Sequence, residues 1–225
     1  MEAPADSYVD GADGRKYWSG IDADVNGMLG GFPYISRVDL QGSRAFLAKM
    51  GVGSGVGKLR RVGRVLEGGA GIGRITEGLL VSVSETVDVV EPIQKFTENL
   101  QSKPGVGRVF NVGLEEWRPE PGEKYDIVWN QWCLGHLRDE ELVEYLERCR
   151  GVLEEGGFVV VKENMSTSGK DIFDALDSAV TREDRKFREL FERAGLDVVR
   201  SEIQNGLPAG LHPVRSYALK PKAKP

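Results

Sequence analysis

From residue 62 onward, short apolar runs alternate with stretches of helical periodicity. The apolar runs have the length of strands and cover residues 62–67, 86–90, 108–112, 125–129 and 158–162. The helical stretches between them cover residues 74–80, 93–101 and 139–153. Such alternation is typical of βαβ units, which build a mostly parallel sheet with helices on both faces. The pattern therefore predicts an α/β fold.

The end of the chain follows a different pattern. Residues 185–194 have helical periodicity and are followed by Gly195, a residue type that is common just past helix ends. Two strand-like runs, 196–203 and 214–219, then follow with no helix between them. We expect them to pair as an antiparallel hairpin that closes one edge of the sheet. The alternative is a disordered tail.

The chain before residue 58 differs from the alternating part. Residues 1–16 are polar and rich in Gly and Asp, and they predict a flexible arm. Residues 17–57 contain one helical stretch, 38–50, and predict a helical extension. Residues 58–220 complete the same single domain, and residues 221–225 predict a solvated tail.

Composition and charge limit the kinds of partner that the protein is expected to bind. The 225 residues include 30 Lys and Arg against 35 Asp and Glu, a net charge of −5. Nucleic acids and anionic membranes favour a basic protein face, so neither is expected as a partner. No apolar run approaches the roughly 18 residues that a membrane span needs. We therefore expect a monomeric protein of the cytoplasm or nucleus.

The two cysteines, Cys133 and Cys149, form no CxxC motif and have no histidine or cysteine at zinc-ligand spacing. They indicate a reducing compartment, and no metal site is expected. Cys133 follows a tryptophan, and we interpret it as a small buried residue rather than a nucleophile.

The most informative segment is a glycine-rich loop between a strand and a helix. The apolar strand runs into Gly69-Ala-Gly71-Ile-Gly73, and helical periodicity begins immediately afterwards. Glycines there allow a sharp turn and let a ligand approach bare backbone amides at a helix N-terminus. Glu91 stands at the end of the next strand, where a carboxylate can accept hydrogen bonds from both hydroxyls of a ribose. Strand, loop, helix, strand and acid in this order predict a nucleoside-binding site.

The spacing of the loop distinguishes between nucleoside cofactors. Dinucleotide sites favour G-x-G-x-x-G/A, whereas this loop has the pattern G-x-G-x-G and continues with Arg74. That spacing resembles the first motif of class I AdoMet-dependent methyltransferases. Gly113-Leu114-Glu115 after the third strand, and the fourth strand at 125–129, fit later landmarks of that fold. The resemblance implies a Rossmann-like, mostly parallel seven-stranded sheet with an antiparallel last strand. It also implies S-adenosyl-L-methionine (AdoMet) as cofactor, S-adenosyl-L-homocysteine as product, and no metal.

Further segments together resemble one family of these enzymes, the protein α-N-terminal methyltransferases. The resemblance covers about residues 17–220, and its segments are Tyr17-Trp18, 27–31, Gln131-Trp132, Gly135-His136, 162–165, Asp174, Asp177-Ser178 and 216–219. That family methylates the free α-amino group of proteins that begin Xaa-Pro-Lys after loss of the initiator Met. The resemblance implies this reaction, protein N-terminal tails as partners, and an extension at 17–57 that forms a lid and substrate-binding region.

Matching to the family residue by residue implies a set of site residues. The AdoMet-contacting positions are Gly69, Arg74, Glu91, Leu114, Glu115 and Gln131, to which the loop argument adds Gly71 and Gly73. The peptide-contacting positions are Trp18, Leu29, Gly30, Trp132, Asn164, Asp174, Asp177, Ser178 and His212. His136 and Asp177 match the residues beside the reacting amine, and Arg74 would pair with the carboxylate of the cofactor.

The chemistry of the amine explains the implied roles. An ammonium has no lone pair, and an α-amino group with a pKa of roughly 7.7–8.0 is mostly protonated at pH 7. We expect Asp177 and His136 to accept that proton. Asn164 would hold the first peptide carbonyl without adding charge, and Trp132 would form a flat wall for the substrate proline. Asp174, with Asp177, would provide negative charge for the third-residue lysine.

The chain departs from the family's pattern at four places. Glu91 replaces the usual Asp at the ribose, and Glu115 replaces a Gln at the adenine, and both remain hydrogen-bond acceptors. Ala179 removes a hydroxyl near the substrate lysine, and Leu211-His212 stands where the family has an aromatic residue. The last two changes bear on peptide specificity rather than on the reaction.

The residues also have plainer interpretations. His136 would merely cap the following helix, Trp18 and Trp132 would be core aromatics, and Asp174 and Asp177 would lie on a solvated helical face. For the protein as a whole, one alternative is a class I methyltransferase that acts on a small molecule or an internal protein residue. The other is an AdoMet-binding scaffold without catalysis.

Overall fold

The computed structural model describes residues 3–54 and 57–223. In these ranges the chain forms β1 (Val62–Gly68), β2 (Ser84–Val90), β3 (Val106–Phe110), β4 (Tyr125–Gln131), β5 (Leu153–Asn164), β6 (Ile172–Asp174), β7 (Ala179–Thr181), β8 (Leu196–Ile203) and β9 (Val214–Pro221). Seven of these strands form one sheet in the order β3-β2-β1-β4-β5-β9-β8, and β6 and β7 form a separate hairpin. Strands β1 to β5 pair in parallel, whereas β9 is antiparallel to β5 and to β8. The predicted mostly parallel seven-stranded sheet with an antiparallel last strand is confirmed.

The pairing of β8 with β9 also confirms the hairpin predicted at the end of the chain. Strand β9 continues to Pro221, the first residue of the expected tail. Residues 222 and 223 follow as exposed chain, and the last two residues of the tail lie outside the described ranges.

The helices surround the sheet. They are α1 (Gly11–Gly20), α2 (Val25–Met28), α3 (Ser36–Lys49), a π-helical turn (Thr76–Leu80) continued by α4 (Val81–Val83), α5 (Gln94–Thr97), α6 (Asp139–Gly151) and α7 (Asp184–Arg193). The helix expected at 93–101 is limited to α5, and the chain continues in turns that pack Leu100 closely against Gly73. Within the described part of the chain, no helix has both the length and the apolar character needed to cross a bilayer.

The flexible arm expected at residues 1–16 is wrong for most of that segment. Val9 is buried, and its carbonyl accepts a hydrogen bond of 2.9 Å from the Arg138 guanidinium. The carboxylate of Asp10 caps α1, while its backbone N–H donates to the Ser178 hydroxyl at 2.8 Å. The polar residues of this segment therefore form helix caps and tertiary hydrogen bonds, which a composition-based prediction of flexibility does not detect.

Strands in the middle of the sheet are buried on both faces. Val65 and Ile127 pack into an apolar cluster on one face, and Leu66 and Val128 pack into a second cluster on the other. All four side chains are fully buried. This arrangement explains why the central strands appear in the sequence as continuous apolar runs without polar alternation.

A buried ion pair joins α3 to the sheet. The Lys162 ammonium on β5 lies 2.5 Å from the Asp39 carboxylate on α3, and neither side chain is exposed. The same ammonium donates to the Ser43 hydroxyl at 2.9 Å. Burial opposes ionisation of Asp39, but Lys162 and then Arg74 outweigh it and hold the pKa of the carboxyl below its usual value. The pair therefore anchors the N-terminal helices to the carboxyl end of β5.

The strand order reverses between β1 and β4, and this places a crevice outside the carboxyl ends of the two strands. Ligands of open α/β sheets bind at such a switch point. The glycine loop follows β1, and Gln131 and Trp132 lie where β4 ends. The fold therefore brings the segments with candidate chemistry to one edge of the sheet.

Removal of the Asp39 charge should destabilise the fold strongly. Asp39→Asn keeps the size of the side chain but leaves Lys162 as a buried cation without its counter-charge, and loss of one partner of a buried pair costs about 3–5 kcal/mol. We expect a decrease of that order in the free energy of unfolding measured by urea denaturation. Lys49→Met is the control, because the Lys49–Glu202 pair is partly exposed and should contribute about 1 kcal/mol or less. Equal effects of the two variants would contradict an anchoring role for Asp39.

Candidate active site

Two cavities open side by side at the carboxyl ends of the parallel strands. The glycine-loop cavity is lined by residues that include Gly69, Gly71, Arg74, Glu91, Leu114, Glu115 and Gln131. The hairpin cavity is lined by residues that include Leu29, Glu163, Asn164, Asp174, Asp177 and His212. Both cavities are lined by Trp18, Met28, Trp132 and His136, which form the junction between them. A group bound in one cavity can therefore meet a group bound in the other only at this junction.

The glycine loop has the backbone geometry that its composition predicts. Gly69 and Gly71 have φ values of +66° and +55°, in the left-handed region that favours glycine. A Cβ atom on Gly71 would lie 2.8 Å from the sulfur of Met28. Gly73 also has a positive φ, but it packs against Leu100 and does not line the cavity. Gly69 and Gly71 are thus placed to contact a ligand, whereas Gly73 serves helix packing.

Glu91 is held rigidly at the end of β2. Its two carboxylate oxygens accept hydrogen bonds of 2.8 Å from the backbone N–H groups of Gly71 and Ile93. Burial raises the pKa of the carboxyl, and these two hydrogen bonds partly oppose the shift. Each carboxylate oxygen has further acceptor capacity, so Glu91 remains able to accept the two hydroxyls of a ribose.

Arg74 and Gln131, both expected at the cofactor, are also tied to Asp39. The Arg74 guanidinium lies 2.7 Å from the Asp39 carboxylate, and the Gln131 amide donates to the same carboxylate at 2.9 Å. Gln131 Oε1 is buried and has no hydrogen-bond partner in the described structure. Asp39 therefore holds both side chains at the cavity wall while each keeps polar atoms for a ligand.

A second buried carboxyl lies beneath the glycine loop. Glu67, at the end of β1, lines the cavity and forms a short hydrogen bond with the Thr76 hydroxyl. Burial raises the pKa of Glu67 to about 8. At neutral pH this carboxyl is therefore mostly protonated, and it adds little negative charge beside Glu91.

The far end of the glycine-loop cavity is closed by an ion pair. Glu115, expected at the adenine, lies 2.7 Å from the Arg15 guanidinium of α1, and Leu114 lines the wall beside it. Both charged side chains are about one-third exposed. Helix α1 therefore covers the cavity, and Arg15 neutralises the carboxylate that stands in place of the family's Gln.

The acidic pair of the hairpin cavity does not lie on a helix. Asp174 ends β6, and Asp177 lies in the tight turn that connects β6 to β7. Asp174 is exposed and Asp177 is half-buried. The interpretation as a solvated helical face is therefore wrong, and the hairpin places one carboxylate at the mouth of the cavity and one inside it.

Two residues expected at the peptide lie elsewhere. Ser178 is buried and has a left-handed φ of +54°, and its hydroxyl accepts the N–H of Asp10. Gly30 is exposed and lines neither cavity. Ser178 therefore holds the N-terminal segment against the hairpin, because the tight turn directs its side chain away from the cavity.

His136 lies at the junction with a defined hydrogen bond. Its Nε2 accepts the indole N–H of Trp18 at 3.0 Å, so the neutral ring carries its proton on Nδ1. Burial lowers the pKa of His136, although the carboxylate of Asp177 opposes the shift. His136 is not the cap of α6, because the backbone N–H of the N-cap residue Arg138 is bound by the Glu141 carboxylate. The geometry makes the ring a donor at Nδ1, while its acceptor atom is already occupied by Trp18.

Asp177 lines the hairpin cavity and lies close to His136 at the junction. Burial raises the pKa of its carboxyl, and the nearby His136 partly opposes that shift. Asp177 Oδ1 is buried without a hydrogen-bond partner among the described residues. A carboxylate with a raised pKa is a better proton acceptor than an exposed one.

Some of the buried polar atoms that have no hydrogen-bond partner in the described part of the chain line the two cavities. In the described ranges, four of the buried side-chain atoms that have no hydrogen-bond partner line them, namely Gln131 Oε1, Trp132 Nε1, His136 Nδ1 and Asp177 Oδ1. Buried polar groups in native proteins are nearly always paired. These atoms are therefore suited to bind a polar ligand, and the glycine cradle beside them fits a nucleoside with an amino-acid end.

Cys133, beside Trp132, is a buried packing residue. Its thiol donates to the Gly68 carbonyl at 3.3 Å, and burial raises the pKa of the thiol well above its usual value. The interpretation of Cys133 as a small buried residue is confirmed. Within residues 3–54 and 57–223, no three His, Cys, Asp or Glu side chains converge at a spacing that could hold a metal ion.

Sequence reasoning missed several residues that build the site, namely Arg15, Met28, Asp39, Glu67 and Glu163. Met28 stands beside the expected Leu29, and Glu163 stands beside the expected Asn164, so proximity in the chain was the available signal. Asp39 carries no local signal, because it acts on residues far away in the sequence.

Comparisons with known proteins show which family the chain is similar to. The sequence model of the family described as AdoMet dependent proline di-methyltransferase matches residues 6–220. The chain is 42% identical over 224 residues to alpha N-terminal protein methyltransferase 1 of Schizosaccharomyces pombe, covering 97% of this chain and 98% of that protein. It is 40% identical to N-terminal Xaa-Pro-Lys N-methyltransferase 1 of Danio rerio, covering 93% of this chain and 94% of that protein.

A solved structure is similar over nearly the whole chain. It is that of a SAM-dependent methyltransferase from Leishmania major, with a TM-score of 0.85 and 33% identity, covering 93% of this chain and 82% of that one. A DhpI–SAH complex, with a TM-score of 0.68 and 16% identity, shares the fold.

The glycine loop gives a direct test of the ligand site. Gly71→Val places a branched side chain at a left-handed φ, against Met28 and into the cavity wall. We expect the dissociation constant for AdoMet, measured by calorimetry, to rise at least tenfold, about 1.4 kcal/mol. Gly122→Val is the matched control, because Gly122 has a φ of +82° in an exposed turn with open space around its Cβ position. Unchanged AdoMet affinity in a folded Gly71→Val protein would remove the loop from the binding site.

Proposed function

The chain belongs to the AdoMet dependent proline di-methyltransferase family, and we propose that it methylates the free α-amino group of proteins that begin Xaa-Pro-Lys. It is an AdoMet-dependent methyltransferase with the sheet order and glycine loop described above. The single observation that carries the proposal is the junction beside Trp132 and His136, at which the glycine-loop cavity meets a cavity lined by Asp174 and Asp177. The names of similar proteins support the same substrate.

The glycine-loop cavity would hold the cofactor. Glu91 would bind the ribose hydroxyls, Leu114 would pack on the adenine, and Glu115 would accept from its exocyclic amine. Arg74, held by Asp39, would pair with the carboxylate of the methionyl end. AdoMet supplies a methyl group on a sulfonium, and the lone pair of an amine can displace that group in line. The chain's part is to hold the amine about 3–3.5 Å from the methyl and to exclude water.

The hairpin cavity binds the substrate peptide and recognises its first three residues. Asn164 is half-buried at the end of β5 and holds the first peptide carbonyl without adding charge. Trp132 has a left-handed φ of +54°, which directs its indole into the junction as a wall for the second-residue proline. Asp174 at the mouth of the cavity attracts the third-residue lysine. His212 and Leu29 complete the wall.

Asp177 is the residue that removes the proton from the amine. Its half-buried carboxyl has a raised pKa and a free acceptor atom, so it can take the proton of the bound ammonium. His136 donates from Nδ1 and orients Trp18 through Nε2, and it would have to release the indole to accept a proton. The two residues therefore have different roles. Asp177 accepts the proton of the amine, and His136 orients Trp18.

Three peptides test the proposed function and separate it from methylation of a small molecule or an internal residue. With AdoMet and the protein, Ser-Pro-Lys should gain methyl groups in a mass measurement, whereas the N-acetylated peptide should not, because its α-nitrogen has no available lone pair. Ser-Pro-Glu should also fail, since its carboxylate is repelled by Asp174 and Asp177. Methylation of the acetylated peptide would place the reaction on a side chain and contradict the proposal. A scaffold without catalysis would release no S-adenosylhomocysteine with any peptide.

The proton-acceptor role predicts a pH-dependent defect. Asp177→Asn keeps shape and hydrogen bonding but cannot accept a proton, so kcat should fall by about 10²–10⁴-fold with little change in AdoMet affinity. Because the amine loses its own proton as pH rises, an increase from pH 7 to 9 should recover part of the rate. The wild type should gain proportionally less. A defect of equal size at every pH would reduce Asp177 to a binding residue.

A further inference from the structure

The turn that carries His136 is held by a buried arginine that comes from another part of the chain. Arg182 follows β7 and is completely buried. Its guanidinium donates to the carbonyl of Leu134 at 3.0 Å, to the carbonyl of Leu137 at 2.5 Å and to the carboxylate of Asp139 at 2.9 Å. The two carbonyls flank His136 on either side. We infer that Arg182 is a positioning residue for the methyl-transfer site, which fixes His136 relative to Asp177.

The opposite side of the same turn is also held by a buried carboxyl group, that of Glu163. The Glu163 carboxylate accepts the backbone N–H groups of Cys133 and Leu134, each at 2.9 Å. Leu134 is therefore bound at its N–H by Glu163 and at its C=O by Arg182. This clamp matters because Trp132, directly before it, has a left-handed φ that costs energy in a residue other than glycine. A strained conformation of this kind persists only when the surroundings hold it.

Arg182 also belongs to the segment that carries Asp177. The β6–β7 hairpin presents Asp177 in its turn, and Arg182 is the first residue after β7. The turn and the hairpin are in close backbone contact, since a Cβ on Gly135 would lie 3.1 Å from the Val180 carbonyl oxygen. The guanidinium thus ties together two segments, one bearing His136 and the other bearing Asp177. A shift of either segment would change the distance between the reacting amine and its acceptor.

The arrangement requires arginine rather than any cation. Three acceptors in different directions are bound by a planar group with five N–H donors in fixed geometry, which lysine cannot imitate. If Arg182 served only as a buried charge for Asp139, lysine would replace it with little effect on the site. If it positions the turn, Arg182→Lys should keep the fold and lose the alignment.

Kinetics and NMR of Arg182→Lys test the inference. We expect kcat at saturating Ser-Pro-Lys peptide to fall at least tenfold, while the dissociation constant for AdoMet changes less than twofold. The chain has two histidines, so imidazole ¹⁵N spectra contain one signal set for His136 and one for His212, assigned with a His212→Asn variant. The His136 signals should change in tautomer balance or titration midpoint in Arg182→Lys, and those of His212 should not. A purely structural role would not produce this selective change.

The controls separate the possible outcomes. Arg64→Lys is the control, because Arg64 is partly exposed, pairs with the buried carboxylate of Asp88 and lines neither cavity. It should leave kcat and the His136 signals unchanged. Wild-type kcat together with wild-type His136 signals in Arg182→Lys would overturn the inference. So would a loss of activity equal to that in Arg64→Lys. The kcat comparison rests on the proposed function, but the His136 spectra do not, so a wild-type protein that fails to methylate the peptide would refute the function alone.

Discussion

The rest of the site depends on the hydrogen bonds and ion pairs that the buried carboxylate of Asp39 forms. It accepts hydrogen bonds from Lys162 on β5, from Arg74 after the glycine loop and from Gln131 at the end of β4. These groups come from three separate parts of the fold, and α3 brings the carboxylate to all of them. Isolated charges at this depth would be costly, but the Asp39 carboxylate is paired with both Lys162 and Arg74. The N-terminal helices are thereby fixed to the sheet at the place where the cofactor cavity forms.

The N-terminal segment is part of the catalytic architecture. Helix α1 supplies Arg15 to the glycine-loop cavity and Trp18 to the junction, and it is held by contacts of Asp10 with Ser178 and of Val9 with Arg138. It therefore touches the cofactor side and the peptide side together. The segment therefore forms part of the wall of both cavities and of the junction between them.

The chemistry at the junction depends on two neighbouring side chains, Asp177 and His136, whose pKa values are shifted in opposite directions. Burial raises the pKa of Asp177 and lowers the pKa of His136, so at neutral pH the pair favours an ionisable acceptor beside a neutral ring. The indole of Trp18 occupies the acceptor nitrogen of His136. Arg182 and Glu163 hold the turn between them from opposite sides. In the proposed mechanism, the positions of these groups, rather than any unusual residue type, allow proton removal from an amine.

The sequence by itself determined the architecture and the cofactor end of the site. Apolar runs and helical periodicity predicted a mostly parallel α/β sheet, and the resemblance to class I methyltransferases implied its seven strands. Gly69, Gly71 and Glu91 line the cavity at the positions that local spacing predicted, because strand, turn and helix patterns depend on neighbouring residues. Only the tertiary structure decided the ordered N-terminal segment, the β6–β7 hairpin that carries Asp177, and the hydrogen bond between Trp18 and His136. These two residues lie 118 positions apart in the sequence. Contacts between such distant residues leave no periodic pattern in the sequence. They arise when buried polar groups from distant segments must satisfy one another inside the folded chain.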